Sequence, residues 1–170
     1  LVADTLEDHF DAISKSNADL IVTTGGTAAG PVDHLHNAIV DAGGNFIIDA
    51  VLVRPGYHQL MAKIGDRHLI GLPGNPQSAV IGLLSLAVPF VAGSNGQPVP
   101  TLETCELSAD LKGPAREVRL TLCSMDSNVA TPLEYLDSSM LRGFVKADGY
   151  AVLPPGGAKA GQIVPWLNLP

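Results

Sequence analysis

The chain is poor in aromatic residues, cysteine and positive charge, and it has no long uninterrupted apolar run; each shortage closes off a class of protein. Aromatics make up 5% of the 170 residues, so the core has to be built from Leu, Ile, Val and Ala. Ten Lys and Arg stand against 17 Asp and Glu, a formal net charge of −7, and no basic stripe runs along the sequence. Nucleic-acid binding uses such a stripe to neutralise phosphates, so no nucleic-acid partner is expected. A small anionic ligand stays compatible, because loop amides and helix N-termini bind phosphate without net positive charge. The two cysteines, Cys105 and Cys123, do not fall at a metal-ligand spacing. Two isolated thiols point to a reducing cytoplasm. The longest apolar stretch, residues 79–92, is interrupted by Gly82, Ser85 and Pro89 and reads as too short for a membrane span. No secretory signal is visible. The first residue is Leu1 and the pattern begins in its middle, so the chain reads as the later part of something longer.

What is present suits a packed chain: 46% hydrophobic and 16% charged residues, with 18 Gly and 13 Pro marking many tight turns. Leu6, Phe10 and Ile13 recur at helical spacing over residues 5–16, with Asp4 or Thr5 as N-cap. Residues 18–24 read as a buried strand stopped by Gly25-Gly26. A helix over 32–42 ends at Gly43-Gly44. Strands follow over 45–53, 59–64 and 68–72, with a break at Arg54-Pro55-Gly56, and then an apolar helix over 76–91. This alternation predicts an α/β layer with a mainly parallel sheet. The polar stretch from Gly93 to Pro98 is the best boundary. Beyond it, strand-like runs at 101–107, 117–123, 128–133, 150–153 and 163–169 predict a small all-β barrel or sandwich. Two unlike domains result, 1–93 and 98–170.

Two glycine-bearing strand-to-helix turns carry the chemistry. The first is Thr24-Gly25-Gly26-Thr27-Ala28-Ala29-Gly30. Its glycines let backbone N–H groups approach an anion, and Thr24 and Thr27 add hydroxyls. A ligand-free turn explains the same residues. Asp33, in the expected first turn of the next helix, either favours the helix dipole or serves as a magnesium-site carboxylate beside a phosphate loop. His34 and His36 flank it on different sides of that helix and read as surface residues. The second turn is Pro73-Gly74-Asn75-Pro76-Gln77-Ser78, where Asn75 suits the N-cap, Pro76 the first helical position, and Ser78 could donate to an anion. Capping alone accounts for it equally. Two such turns from one sheet suggest a shared crevice. Arg54 is either an exposed cation in a turn or fixed positive charge for an oxyanion.

Taken in order, Thr24 to Gly30 with Asp33, Arg54-Pro55-Gly56, Leu72-Pro73-Gly74-Asn75-Pro76 with Ser78, and the later Ala147-Asp148-Gly149-Tyr150 and Gly161-Gln162-Ile163-Val164-Pro165 resemble the molybdopterin molybdenumtransferases, the MoeA proteins and the E domain of gephyrin. The resemblance implies a three-layer molybdopterin-binding α/β domain of the MoaB type, followed by a small β-barrel. It implies an enzyme that takes adenylylated molybdopterin and molybdate, uses Mg2+ and releases AMP. It further implies a cytoplasmic homodimer, with a molybdopterin adenylyltransferase as pathway partner and no membrane. By the same resemblance, Thr24, Gly25, Gly26, Thr27 and Gly30 in the first loop would hold phosphate and pterin. Pro73, Gly74, Asn75 and Pro76 in the second would share that task. Asp33 would be the acidic and metal-binding residue, and Arg54, Ser78, Arg119 and one of Ser138 or Ser139 would line the molybdate site. Three places depart from the family pattern: Tyr57 stands where a second lysine is frequent, Ala28 where a serine is, and Pro114-Ala115-Arg116-Glu117 where a basic and aromatic context near Arg119 is usual. The family's opening strand and two earlier domains precede the point where this chain starts, so this piece alone is expected to be inactive. Two other readings of the same residues are an adenylyltransferase-like protein and a divergent molybdopterin-binding protein without catalysis, the latter extending to a scaffold.

Overall fold

The computed structural model describes residues 1–28, 30, 33–133 and 141–170. The chain divides into two compact units, Leu1–Val51 with Gly56–Val91, and Leu52–Pro55 with Ala92–Pro170.

In the first unit, α1 (Leu6–Lys15) is capped by Thr5, whose side chain accepts from the Asp8 N–H, with Glu7 and Asp8 in its first turn, where carboxylates suit the helix dipole. It leads into β1 (Leu20–Thr24), α2 (Leu35–Asp41) and β2 (Asn45–Ile48). After an excursion into the second unit come β4 (Leu60–Ile64) and β5 (Arg67–Leu72). The sheet order is β1-β5-β4-β2. Strands alternate their faces with period two. Leu60, Ala62, Ile64 and Leu69 therefore meet Ile13, Leu35, Ala38 and Ile39 of the two helices in one core. Ile70 and Leu72 point the other way, into a second core with Ala87, against which Leu20, Met61, Ala79 and Phe90 pack. The unit is thus a three-layer α/β sandwich.

The expected mainly parallel sheet is corrected. Only β1 and β5 run parallel, whereas β4–β5 and β2–β4 are antiparallel. The cause is local. Gly65, at φ 60°, and Asp66 join β4 to β5 in a two-residue turn, and so short a link permits only an antiparallel pair.

The helical layer behind the sheet is α3 (Pro76–Gly82), a π-helical turn (Leu83–Ala87) and α4 (Val88–Ser94). The π turn precedes Pro89, which has no N–H to give the Ser85 carbonyl. The Ser85 hydroxyl donates to the Ile81 carbonyl at 2.7 Å, with the Gln59 side-chain amide 2.9 Å from the same oxygen. The run Pro76–Ser94 reaches 19 residues with a mean hydropathy of 1.6, long and apolar enough by composition to cross a membrane, so the expectation that it is too short is corrected. Here it forms the third layer, with Gln77, Ser78, Ile81, Gly82 and Ala87 buried.

The second unit holds β3 (Val53–Arg54), β6 (Glu103–Leu107), β7 (Leu111–Lys112), β8 (Val118–Asp126), β9 (Val129–Pro132), β10 (Gly149–Leu153), β11 (Gly157–Ala158) and β12 (Ile163–Asn168). Strands β8, β10, β12, β6 and β9 pair in turn and return to β8, closing a ring, as the strand-like runs beyond residue 98 led one to expect. Closure removes the exposed edges of a small sheet. Trp166, Leu107, Leu153, Ala151 and both cysteines fill the inside. The run expected over 45–53 splits, because β3 leaves the first sheet and pairs in parallel with β8.

Candidate functional site

Parallel neighbours end at the same edge of a sheet. The register Leu20↔His68 through Thr24↔Leu72 brings the two glycine loops to one edge, since each follows its strand directly. The Gly25 N–H donates to the Leu72 carbonyl at 2.9 Å. A Cβ placed on Gly74 would lie 3.4 Å from Gly25 Cα. Gly25 and Gly26 adopt φ of 87° and 64°, the left-handed region that side chains disfavour. Thr24 is exposed, Gly26 and Gly30 are half-buried, and Thr27 is turned in, with its methyl 2.9 Å from where a Gly71 Cβ would stand. On the second loop Pro73 is buried and Gly74 exposed. Asn75 caps α3, its Oδ1 accepting from the Ser78 N–H at 3.1 Å, and Pro76 takes the first turn. Ser78 itself is buried, at 6% exposure; its backbone N–H is engaged by the cap and only its hydroxyl is left for a ligand.

Asp33 is not in the first turn of α2, as the spacing predicted. Its N–H donates to the Gly30 carbonyl at 3.0 Å, a tight turn that delays the helix until Leu35. The carboxylate thus belongs to the loop, with Oδ2 3.3 Å from the position of a Gly30 Cβ. Among the described residues no three His, Cys, Asp or Glu side chains cluster as metal ligands. Magnesium typically takes one or two carboxylates and completes its shell with water and substrate phosphate, and Asp33 is the carboxylate described on this loop.

The structure adds a residue that the sequence did not single out. His9 on α1 places Nε2 3.9 Å from the position of a Gly26 Cβ, and its ring centroid is 6.3 Å from that of His34. No local motif marks it; it reaches the loop because a short connection returns the start of α1 to the end of β1. His36 is not a simple surface residue. It bonds Asp49 at 2.7 Å and stacks on Phe46 with centroids 5.1 Å apart.

Arg54 and Arg119 fall in the second unit. They are Cα partners in the parallel pair of β3 and β8, so two guanidinium groups are carried side by side on one sheet. Arg54 is therefore a strand residue and not a cation in a turn between two strands of the first sheet. Its Nε donates to Glu117 Oε2 at 2.6 Å, with Arg54 largely exposed and the Glu117 side chain at 17% exposure. The hydrogen bond and charge of Glu117 raise the Arg54 pKa above its ordinary range. Tyr57, back in the first unit, stands edge-on to His58 with centroids 5.0 Å apart. Ser138 and Ser139 lie outside the described residues. Chemically, the first unit offers loop amides, a carboxylate and an imidazole, a set for holding a phosphate-bearing organic molecule. The second offers paired guanidinium groups, a set for an oxyanion.

Residues 1–93 match the family described as probable molybdopterin binding domain, and residues 104–169 match the MoeA C-terminal region, domain IV. The molybdopterin molybdenumtransferase of Bacillus subtilis is 27% identical over 173 residues, covering 96% of this chain and 40% of that protein. That of Haemophilus influenzae is 32% identical over 84 residues, covering 49% of this chain and 20% of its own length. The chain thus spans 40% or less of the length of these relatives. Among solved structures, a molybdopterin biosynthesis MoeA protein from Pyrococcus horikoshii superposes with a TM-score of 0.79 at 21% identity, over 98% of this chain and 42% of that one. A molybdenum cofactor biosynthesis protein from Pyrococcus furiosus gives 0.71 at 15% identity, over 99% of this chain and 56% of that one.

Proposed function

The chain belongs to the family of the probable molybdopterin binding domain, with a MoeA C-terminal region behind it, and from that we propose that it holds a molybdopterin phosphate at its paired glycine loops and serves the insertion of molybdate into adenylylated molybdopterin, with release of AMP. One observation carries the reading: the loops after β1 and β5 meet, with Gly25 bonded to Leu72 and Gly74 beside it. Thr24, Gly25, Gly26 and Gly30 face the phosphate end, with Thr27 turned into the fold and Pro73, Gly74, Asn75 and Pro76 forming the opposite lip. The Ser78 hydroxyl is the polar group of that lip.

Molybdate is a compact dianion, and Arg54 and Arg119 supply the guanidinium donors for it, joined by Ser138 or Ser139. Asp33 would hold magnesium, whose charge stabilises the departing AMP phosphate. The assembly we propose is a homodimer. A molybdopterin adenylyltransferase makes its substrate. Cys105 and Cys123 are free thiols, in keeping with a reducing cytoplasm. The barrel match favours molybdenum insertion over adenylylation, because an adenylyltransferase of the MoaB type ends with its α/β domain.

The test is direct binding. Hydroxymethylpterin phosphate titrated into the isotope-labelled chain should shift the amide resonances of Gly25, Gly26 and Gly74 together. Shifts confined to other parts of the chain, or none, would sink the proposal. Adenylyl transfer from ATP to molybdopterin by the same protein would replace it with the adenylyltransferase reading.

A further inference from the structure

The loop amides account for an anion, but the group beside them does not. His9 Nδ1 lies 2.7 Å from the Thr5 carbonyl oxygen. A carbonyl only accepts, so Nδ1 carries a proton, and in the neutral tautomer Nε2 is the ring nitrogen with the acceptor lone pair. That nitrogen stands 3.9 Å from where a Gly26 Cβ would be. The half-buried ring is fixed from two sides, by the Thr5 bond and by the His34 ring 6.3 Å away. The charged groups of α1 are Glu7, Asp8, Asp11 and Lys15; Asp8 is held by Thr5 and Lys15 by Asp11. On the loop that meets it, Asp33 is the charged group described. An acceptor lone pair beside an anion site repels a bare anion and welcomes a donor.

We infer that His9 is a specificity-determining residue of this loop: Nε2 accepts a hydrogen bond from a neutral N–H or O–H of a ligand whose phosphate is held at this glycine loop. The preferred ligand is then a phosphate ester with a hydrogen-bond donor on its organic body, such as the amide and amino edge of a pterin, rather than an isolated oxyanion. This rests on the binding role proposed for the loop.

The experiment compares two probes, inorganic phosphate and hydroxymethylpterin phosphate, by calorimetric titration of the whole chain and of two variants. His9→Leu removes the acceptor, and His9→Gln restores one at similar reach. Loss of one neutral hydrogen bond corresponds to roughly a fivefold weaker affinity. His9→Leu should lose about that factor for the pterin ester, keep the affinity of the parent for inorganic phosphate, and His9→Gln should recover most of the difference. Equal losses for both probes, or none for either, would overturn the role of His9 while leaving the loop as a binding site. A parent chain that binds neither probe overturns the loop reading and this inference with it. Circular dichroism of both variants confirms the fold, as the hydrogen bond of the ring among the described residues is to the exposed Thr5 carbonyl.

Discussion

Gly74 approaches Gly25 so closely that a single carbon added to it would lie 3.4 Å from the Gly25 Cα. At this point the two lips of the crevice meet main chain against main chain, with no side chain of the described residues between them. The Gly25 N–H, already spent on Leu72, holds that spacing.

Alanine at these glycines should separate folding from binding. Gly25→Ala forces a side chain into φ 87°, at a cost of about 1–2 kcal/mol. Thermal unfolding should report that loss. Gly74 is outside the positive-φ set, and its new methyl presses only on the facing backbone. We expect Gly74→Ala to keep its Tm within a few degrees while binding of pterin phosphate weakens. An unchanged affinity in Gly74→Ala would argue that ligands enter elsewhere.

On the role proposed for Arg54, Glu117 competes with molybdate for its guanidinium. Its bond at 2.6 Å takes the Arg54 Nε and places a carboxylate beside the guanidinium that an oxyanion would approach. Glu117→Gln retains the shape and removes the charge, so molybdate affinity should rise by about two- to fivefold, a range typical of one exposed ion pair. Arg54→Ala should reduce it. Equilibrium dialysis with molybdate reads both, and a fall in affinity for Glu117→Gln would show that the carboxylate helps rather than competes.

Asp33 predicts a dependence on magnesium. With the carboxylate on the loop beside Gly30, added Mg2+ should tighten binding of the phosphate ester to the parent chain. In Asp33→Asn the ester should bind with or without the ion alike. A persisting magnesium effect in that variant would move the metal donor to another residue.

Burial pushes the Cys123 thiol from its ordinary 9.0 up to about 11, and Cys105 is raised in the same direction. The folded state therefore keeps a proton that the unfolded chain gives up. Below the unfolded value both states hold it and this group leaves stability flat. As pH rises from 9.0 toward about 11, the unfolded chain is favoured, by about 1.4 kcal/mol per pH unit for each such proton. Urea unfolding of the barrel across that window should steepen with pH, and Cys123→Ala should flatten the slope while lowering stability overall. Equal slopes in parent and variant would mean that the thiol ionises alike in both states.

Much of the local structure was legible beforehand. The period of Leu6, Phe10 and Ile13 marked α1, and Asn75-Pro76 marked the start of α3, because capping and periodicity act within a few residues. The five strand-like runs beyond residue 98 became the five strands of the ring. Three things escaped. Asp33 was expected inside a helix, but the Gly30 turn, a hydrogen bond invisible in residue types, holds it outside. The sheet was expected to be mainly parallel, since a strand pattern states which face is buried and not which way a neighbour runs. His9 carried no motif at all.

By its own order of residues the sequence determined that the chain has two glycine turns after strands, a polar link near Gly93 and a barrel-forming second half, because turns and alternation follow from φ preferences and side-chain period. Tertiary structure alone decided that Thr24 and Leu72 end side by side, that β3 deserts its neighbours to place Arg54 opposite Arg119, and that Glu117 claims the first of them. Those pairings join residues tens of positions apart. Their energy comes from burying and hydrogen-bonding both partners at once, which no local stretch of sequence encodes.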